Sequence, residues 1–178
     1  MKTLTAKTNS TLFIFIYKGS KMQKILFILV LPIIICCQNT NLDQAVTSVL
    51  NKLHLYASEA RGPEYFDLFA EDAIFFGTDI NERWDKNAFQ EYGMIRFETG
   101  KGWTYHMTER NIYFSDDDQT CWFDELVRND KYGHLRGTGV MKLVDQDWKI
   151  VQYNLGLPMP NDLFSKYAQE IMEFYKEE

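Results

Sequence analysis

The chain has 178 residues, a formal net charge of −6 and 46% hydrophobic residues, 15% of the chain being aromatic. That length suits one domain with additional segments, and that apolar share is enough to fill a core. The acidic balance, with no cluster of Lys and Arg in the body of the chain, excludes the positive face that nucleic acids require, and the three cysteines (Cys36, Cys37 and Cys121) allow neither a disulfide framework nor a zinc-ligand spacing.

At the N-terminus Lys21 and Lys24 precede an apolar run at 25–37, ILFILVLPIIICC. It is too short to span a bilayer of ~30 Å as a helix, and basic residues before such a run describe an export signal. Its end, Ile34-Ile35-Cys36-Cys37, resembles a bacterial lipoprotein signal, which implies lipid attachment at Cys37. The organisation expected is a signal segment at 1–36, with Met22 as an alternative start, a tether at 37–42 and one domain at 43–178. The protein is then exported and lipid-anchored to a bacterial membrane, on its periplasmic or surface side.

Residues 41–58 carry an apolar stripe at helical spacing through Val46, Leu50 and Leu53, with Asn41 as a cap. Gly62-Pro63 opens a second, short helix. Residues 73–77 (AIFFG) are a strand, and 78–84 a loop. Asp85 caps a third helix that ends near Gly100. A long strand is expected at 103–114, followed by an acidic turn at 115–118. Three strand-like runs follow between Thr120 and Leu157, with turns centred near Lys131 and Gln146. Pro158 and Pro160 stop the last strand, and Asn161 caps a final helix reaching about Tyr175. Helices first and meandering strands later describe an α+β fold with a mostly antiparallel sheet.

Those turn centres place odd-numbered residues on one face: Cys121, Phe123, Glu125, Val127, Leu135, Gly137, Gly139, Met141, Leu143, Val151, Tyr153 and Leu155. This face is apolar apart from Glu125 and the Tyr153 hydroxyl. Two glycines without side chains leave room, so it has the character of a pocket wall. The even face, with Trp122, Arg136, Lys142, Trp148 and Ile150, mixes rings and charges as an outer, pairing face would. A cross-strand cluster of Arg110, Asp124 and Arg136 is expected there. Cys121 is expected to be a small buried apolar residue.

The segments FFGTDINERW (75–84), WFDE (122–125), RGTGV (136–140) and WKIVQYNL with PMPND (148–162) resemble the SnoaL-like branch of the nuclear transport factor two-like superfamily. The resemblance spans about residues 43–164. It implies a cone-shaped, curved, mostly antiparallel sheet wrapped round the N-terminal helices, plus a C-terminal helix, and a homodimer formed through the outer sheet face. It also implies either a binding module that holds a small hydrophobic or amphipathic molecule in the cone, or an isomerase, cyclase or dehydratase that uses a buried carboxylate or a His–Asp pair.

On that basis Glu125 is the candidate acid–base group and Tyr153 the donor to a developing oxyanion. Asp79, Trp84, Tyr92, His106, Phe123 and Met141 are candidates for contact with a ligand. The structural alternative for Glu125 is an ion pair with Arg136, and for Asp79 a turn role. No metal site and no cofactor is expected, because no clustered His, Cys or carboxylates stand at ligand spacing.

Overall fold

A computed structural model describes the backbone of residues 23–176 and the side chains of residues 41–176. The Met22 start and the side chain of Cys37, expected as the point of lipid attachment, lie outside the described residues. Among those described, no helix is long and apolar enough to cross a membrane. The chain falls into two compact units, Met1–Asn41 and Leu42–Glu178, and the sheet, the core and the cavity all belong to the second.

Ten elements follow in order: α1 (Gln23–Ser58), α2 (Gly62–Asp67), β1 (Phe69–Phe76), β2 (Arg83–Asp85), α3 (Lys86–Phe97), β3 (His106–Phe114), β4 (Thr120–Asn129), β5 (Gly133–Val144), β6 (Asp147–Gly156) and α4 (Asn161–Phe174). The α+β architecture is as expected, with one six-stranded sheet in the order β2-β1-β6-β5-β4-β3. All strand pairs are antiparallel except β1 with β6.

The stripe on α1 does what its spacing requires: Val46, Leu50, Leu53 and Ala57 are buried. On α3, Asp85 accepts a hydrogen bond from the backbone N–H of Ala88, 2.9 Å away, and so caps the helix. Tyr65, Phe66, Phe69, Phe89 and Phe97 from α2, β1 and α3 form a ring cluster, with Phe66 and Phe89 edge-to-face at 5.3 Å. Cys121 is fully buried, and burial pushes its thiol up to about 12, the behaviour of a core residue rather than of a nucleophile.

Several local expectations are corrected. Asn41 lies inside α1, and α4 begins after Pro160 with no side-chain cap, so neither asparagine caps its helix. Arg83 and Trp84, expected in a loop, form β2 together with the capping Asp85, which sets Trp84 opposite Phe75. The third strand starts at His106, not at Trp103.

The register of β5 and β6 differs more. Asp145 and Gln146 both have positive φ, 50° and 73°, and make a two-residue turn in which Val144 faces Asp147. Odd residues of β5 therefore meet even residues of β6 near the turn, and Trp148 and Ile150 are buried instead of lying on the outer face. A bulge between the Val140 and Met141 pairings restores odd-with-odd pairing, which brings Tyr153 and Leu155 back inside. The β4–β5 pairing and its buried odd face agree with the sequence reading.

The large apolar side chains of α4, Leu163, Phe164, Tyr167, Ile171 and Phe174 among them, are exposed, and no residue of this helix is buried.

Candidate functional site

The site is built around Glu125, which is completely buried. Its position on β4 points it inward, and cross-strand neighbours from β3 and β5 flank it: Arg110 and Gly137 are its direct partners. A bulge in β3 between Met107 and Glu109 turns Arg110 to the inner face, so the expected outer cluster of Arg110, Asp124 and Arg136 does not form. Arg110 instead grips Oε2 of Glu125 through Nε at 2.9 Å and Nη2 at 2.7 Å. Its Nη1 donates to Oδ1 of Asn51 on α1, at 2.8 Å. Arg136 is not the partner of Glu125.

The other carboxylate oxygen, Oε1, accepts from the Tyr153 hydroxyl at 2.9 Å and lies 2.9 Å from Nε2 of His54. Burial alone would raise the carboxyl pKa. The hydrogen bond from His54, with the charge and hydrogen bonds of the Arg110 guanidinium, outweighs it and holds Glu125 below the usual carboxylate range. Glu125 is thus an anion with four donors on its two oxygens. It has no free lone pair for a substrate proton. Of the groups that hold it, His54 and Tyr153 reach the cavity wall.

Tyr153 is also corrected. Its hydroxyl proton is committed to Glu125, and burial followed by the Glu125 charge raises the phenol pKa well above the ordinary value. Gly137 makes this contact possible. A Cβ there would stand 2.5 Å from the Tyr153 hydroxyl oxygen and 3.0 Å from Cγ of Glu125. The room expected at Gly139 is likewise filled, by the ring of Phe123.

A cavity of about 690 Å³ opens beside this array, in the size range of small-molecule sites. His54 and Tyr153 form part of its wall, and Glu125 sits behind them. With Nε2 donating to the carboxylate, Nδ1 is the nitrogen of His54 left to act on a ligand. Nδ1 makes no hydrogen bond to any described residue, and no fully enclosed side-chain nitrogen or oxygen among them lacks a partner, so this nitrogen keeps accessible surface on a residue of the cavity wall.

Aromatic rings line one side in near-parallel steps. Tyr153 and Phe75 lie 16° apart, Trp84 and Tyr92 20° apart at 4.9 Å, and Tyr92 and Trp103 14° apart. Such a wall suits a flat, unsaturated molecule.

Of the ligand-contact candidates, Trp84 and Tyr92 line the cavity. The other four do not. Asp79 is an exposed turn residue whose Oδ1 accepts from the N–H of Asn81. His106 is exposed and pairs with Arg128. Phe123 and Met141 are core residues, the first packed against Tyr153 and the second fully buried. No group of described residues is arranged to hold a metal ion.

His54 was missed by the sequence reading, although a signal was there. It stands one helical turn beyond Leu50 and one turn before Ala57, on the buried side of α1, where an imidazole is out of place unless partnered.

The fold matches an NTF2-like protein of unknown function from Pseudomonas putida KT2440, with TM-score 0.59, 11% identity, and coverage of 69% of this chain and 91% of that one. It also matches a provisionally named scytalone dehydratase from Novosphingobium aromaticivorans, with TM-score 0.58, 17% identity, and coverage of 68% and 87%. A provisionally named aromatic ring hydroxylase from the same organism matches with TM-score 0.55, 16% identity, and coverage of 66% and 89%. At such identities these likenesses show the fold alone. No curated protein matches the sequence. The SnoaL-like domain model matches residues 46–160, which takes in α1 from Val46 through all six strands and every residue of the buried array. The chain therefore belongs to the SnoaL-like domain family.

Proposed function

We propose that the protein is an acid–base enzyme of the isomerase, cyclase or dehydratase type, acting on a flat, largely apolar carbonyl compound in the cavity. One observation carries the reading: His54, on the cavity wall, is held by an ionised, fully buried carboxylate that is itself held by Arg110. A fixed imidazole backed by an anion is what proton transfer at carbon needs, because the anion stabilises the imidazolium as it forms.

In the proposed step, Nδ1 of His54 takes a proton from the carbon beside the carbonyl. The C–H electron pair becomes the new C=C bond, and the carbonyl π pair moves to oxygen as an enolate. The enolate oxygen pair then re-forms C=O. In an isomerase the displaced C=C pair shifts along a conjugated double bond and the far carbon takes the proton back from His54. In a dehydratase that pair makes a new C=C bond as the β C–O bond breaks, and the hydroxyl leaves as water with the His54 proton. In a cyclase the pair bonds a second carbonyl carbon, whose oxygen takes the proton. Dehydratase is the name carried by one fold neighbour, which supports the class without assigning the substrate.

The test is solvent deuterium uptake. 2-Acetylnaphthalene, a flat methyl ketone, is incubated with the protein in D₂O, and exchange at its methyl group is followed by mass spectrometry. Exchange faster than in buffer supports the reading, and exchange at the buffer rate with the ketone bound contradicts it.

A second reading, a binding module without turnover, draws support from the ring-lined wall and from the complete satisfaction of Glu125, which leaves the carboxylate itself inert. Two features of the biological setting belong to either reading as proposals. One is export with a lipid anchor at Cys37. The other is pairing of two copies through the outer sheet face, which the exposed, stacked rings of Tyr113 and Trp122 support.

A further inference from the structure

Tyr153 cannot serve a ligand oxygen with its proton, because Glu125 already accepts it. Tyr65 differs. It sits on α2, its ring is edge-to-face with Phe66 at 5.0 Å and with Phe97 at 5.5 Å, and the residue is only 5% exposed. Yet its hydroxyl makes no hydrogen bond to any described residue, while no fully enclosed side-chain oxygen among them is left without a partner. The hydroxyl therefore keeps accessible surface, and the cavity is where Tyr65 has it, since the residue shares that wall with His54 and Tyr105 and is otherwise packed among rings.

We infer that the Tyr65 hydroxyl is the hydrogen-bond donor that receives the carbonyl oxygen of the bound molecule. A hydroxyl set in an apolar ring cluster without a partner is costly, and a carbonyl oxygen removes that cost. The rings of Phe66, Phe69 and Phe97 fix its direction, so the donor is aimed before any ligand arrives. Burial, with the Tyr105 phenol nearby, raises the Tyr65 pKa far above neutrality, so the group keeps its proton and donates. The inference rests on the acid–base reading for its chemistry: as His54 takes the proton, the oxygen held by Tyr65 becomes the enolate oxygen. It assigns the ligand class independently, as a molecule with an oxygen acceptor on an otherwise flat apolar frame.

The experiment compares 2-acetylnaphthalene with 2-ethylnaphthalene, which lacks the oxygen, by calorimetry on wild-type protein and Tyr65→Phe. The carbonyl stretch of the bound ketone is recorded by infrared spectroscopy. The expected result is a ketone preference in the wild type that falls about tenfold in Tyr65→Phe, with ethylnaphthalene binding unchanged. The carbonyl stretch should lie lower in the wild type than in the variant.

Equal affinity of the two probes for the wild type, or binding of neither, overturns the assignment. So does a variant that keeps the preference. If Tyr65→Phe does not fold, the wild-type stretch decides: a frequency no lower than in hexane overturns it. Ketone preference through Tyr65 without deuterium uptake would retire the proton-transfer reading and leave Tyr65 standing. Uptake without that preference would do the reverse.

Discussion

Nε2 of His54 lies 2.9 Å from Oε1 of Glu125, a contact between residues 71 positions apart that joins helix α1 to strand β4. The contact gives the two residues unequal parts. Glu125 is sealed in the sheet and holds charge, while His54 stands between that charge and the cavity.

The ion pair beneath the site should be strongly coupled. Arg110 is 4% exposed in its side chain and Glu125 is not exposed at all. Arg110→Met strands an anion in the core and should cost about 3–5 kcal/mol, measured by urea denaturation. Adding Glu125→Gln to Arg110→Met should recover part of that loss, because the stranded charge is gone. A double-mutant cycle showing simple additivity would mean the pair is not a unit.

Acid should weaken the fold through the same carboxylate. The folded-state pKa of Glu125 is depressed below its unfolded value near 4.5. A depressed carboxyl contributes stability that is fully present above the unfolded pKa and is lost as pH falls through the folded one. The stability advantage of the wild type over Glu125→Gln should therefore shrink as pH drops below about 4.5. Thermal denaturation at a series of pH values reads this directly, and an advantage that grew on acidification would contradict it.

Gly137→Ala should damage the site more than the fold. The new Cβ would meet the Tyr153 hydroxyl at 2.5 Å and Cγ of Glu125 at 3.0 Å, and both belong to buried side chains with little room to move. Overpacking of this kind costs about 1–3 kcal/mol. Tyr153 should lose its bond to Glu125, visible as a shift in its ring resonances by NMR. An alanine variant with unchanged Tyr153 resonances would show slack that the packing does not have.

The sequence revealed the layers because they rest on local periodicity. The stripe of Val46, Leu50 and Leu53 and the alternation of Cys121, Phe123, Glu125 and Val127 state which face is buried without reference to anything distant. It also pointed to Glu125 as the inward carboxylate. What it hid depends on parity changes and long-range meetings. The bulge in β3 turns Arg110 inward, and the two-residue turn at Asp145 and Gln146, with its compensating bulge, moves Trp148 and Ile150 inside. No residue type marks either bulge. His54 was legible only as an imidazole on an apolar helix face, and its partner lies on another element. The rooms foreseen at Gly137 and Gly139 exist, but Tyr153 and Phe123 fill them, so the ligand space lies toward Trp84, Tyr92 and Trp103 instead.

The most direct measurement is the deuterium exchange rate of 2-acetylnaphthalene with His54→Gln, alongside its affinity for the same variant. Affinity should stay within about threefold of wild type and exchange should slow by about 10²–10⁴, because a positioned acid–base group contributes on that scale. Exchange at the wild-type rate in His54→Gln, with the protein folded and the ketone bound, would show that the proton goes elsewhere.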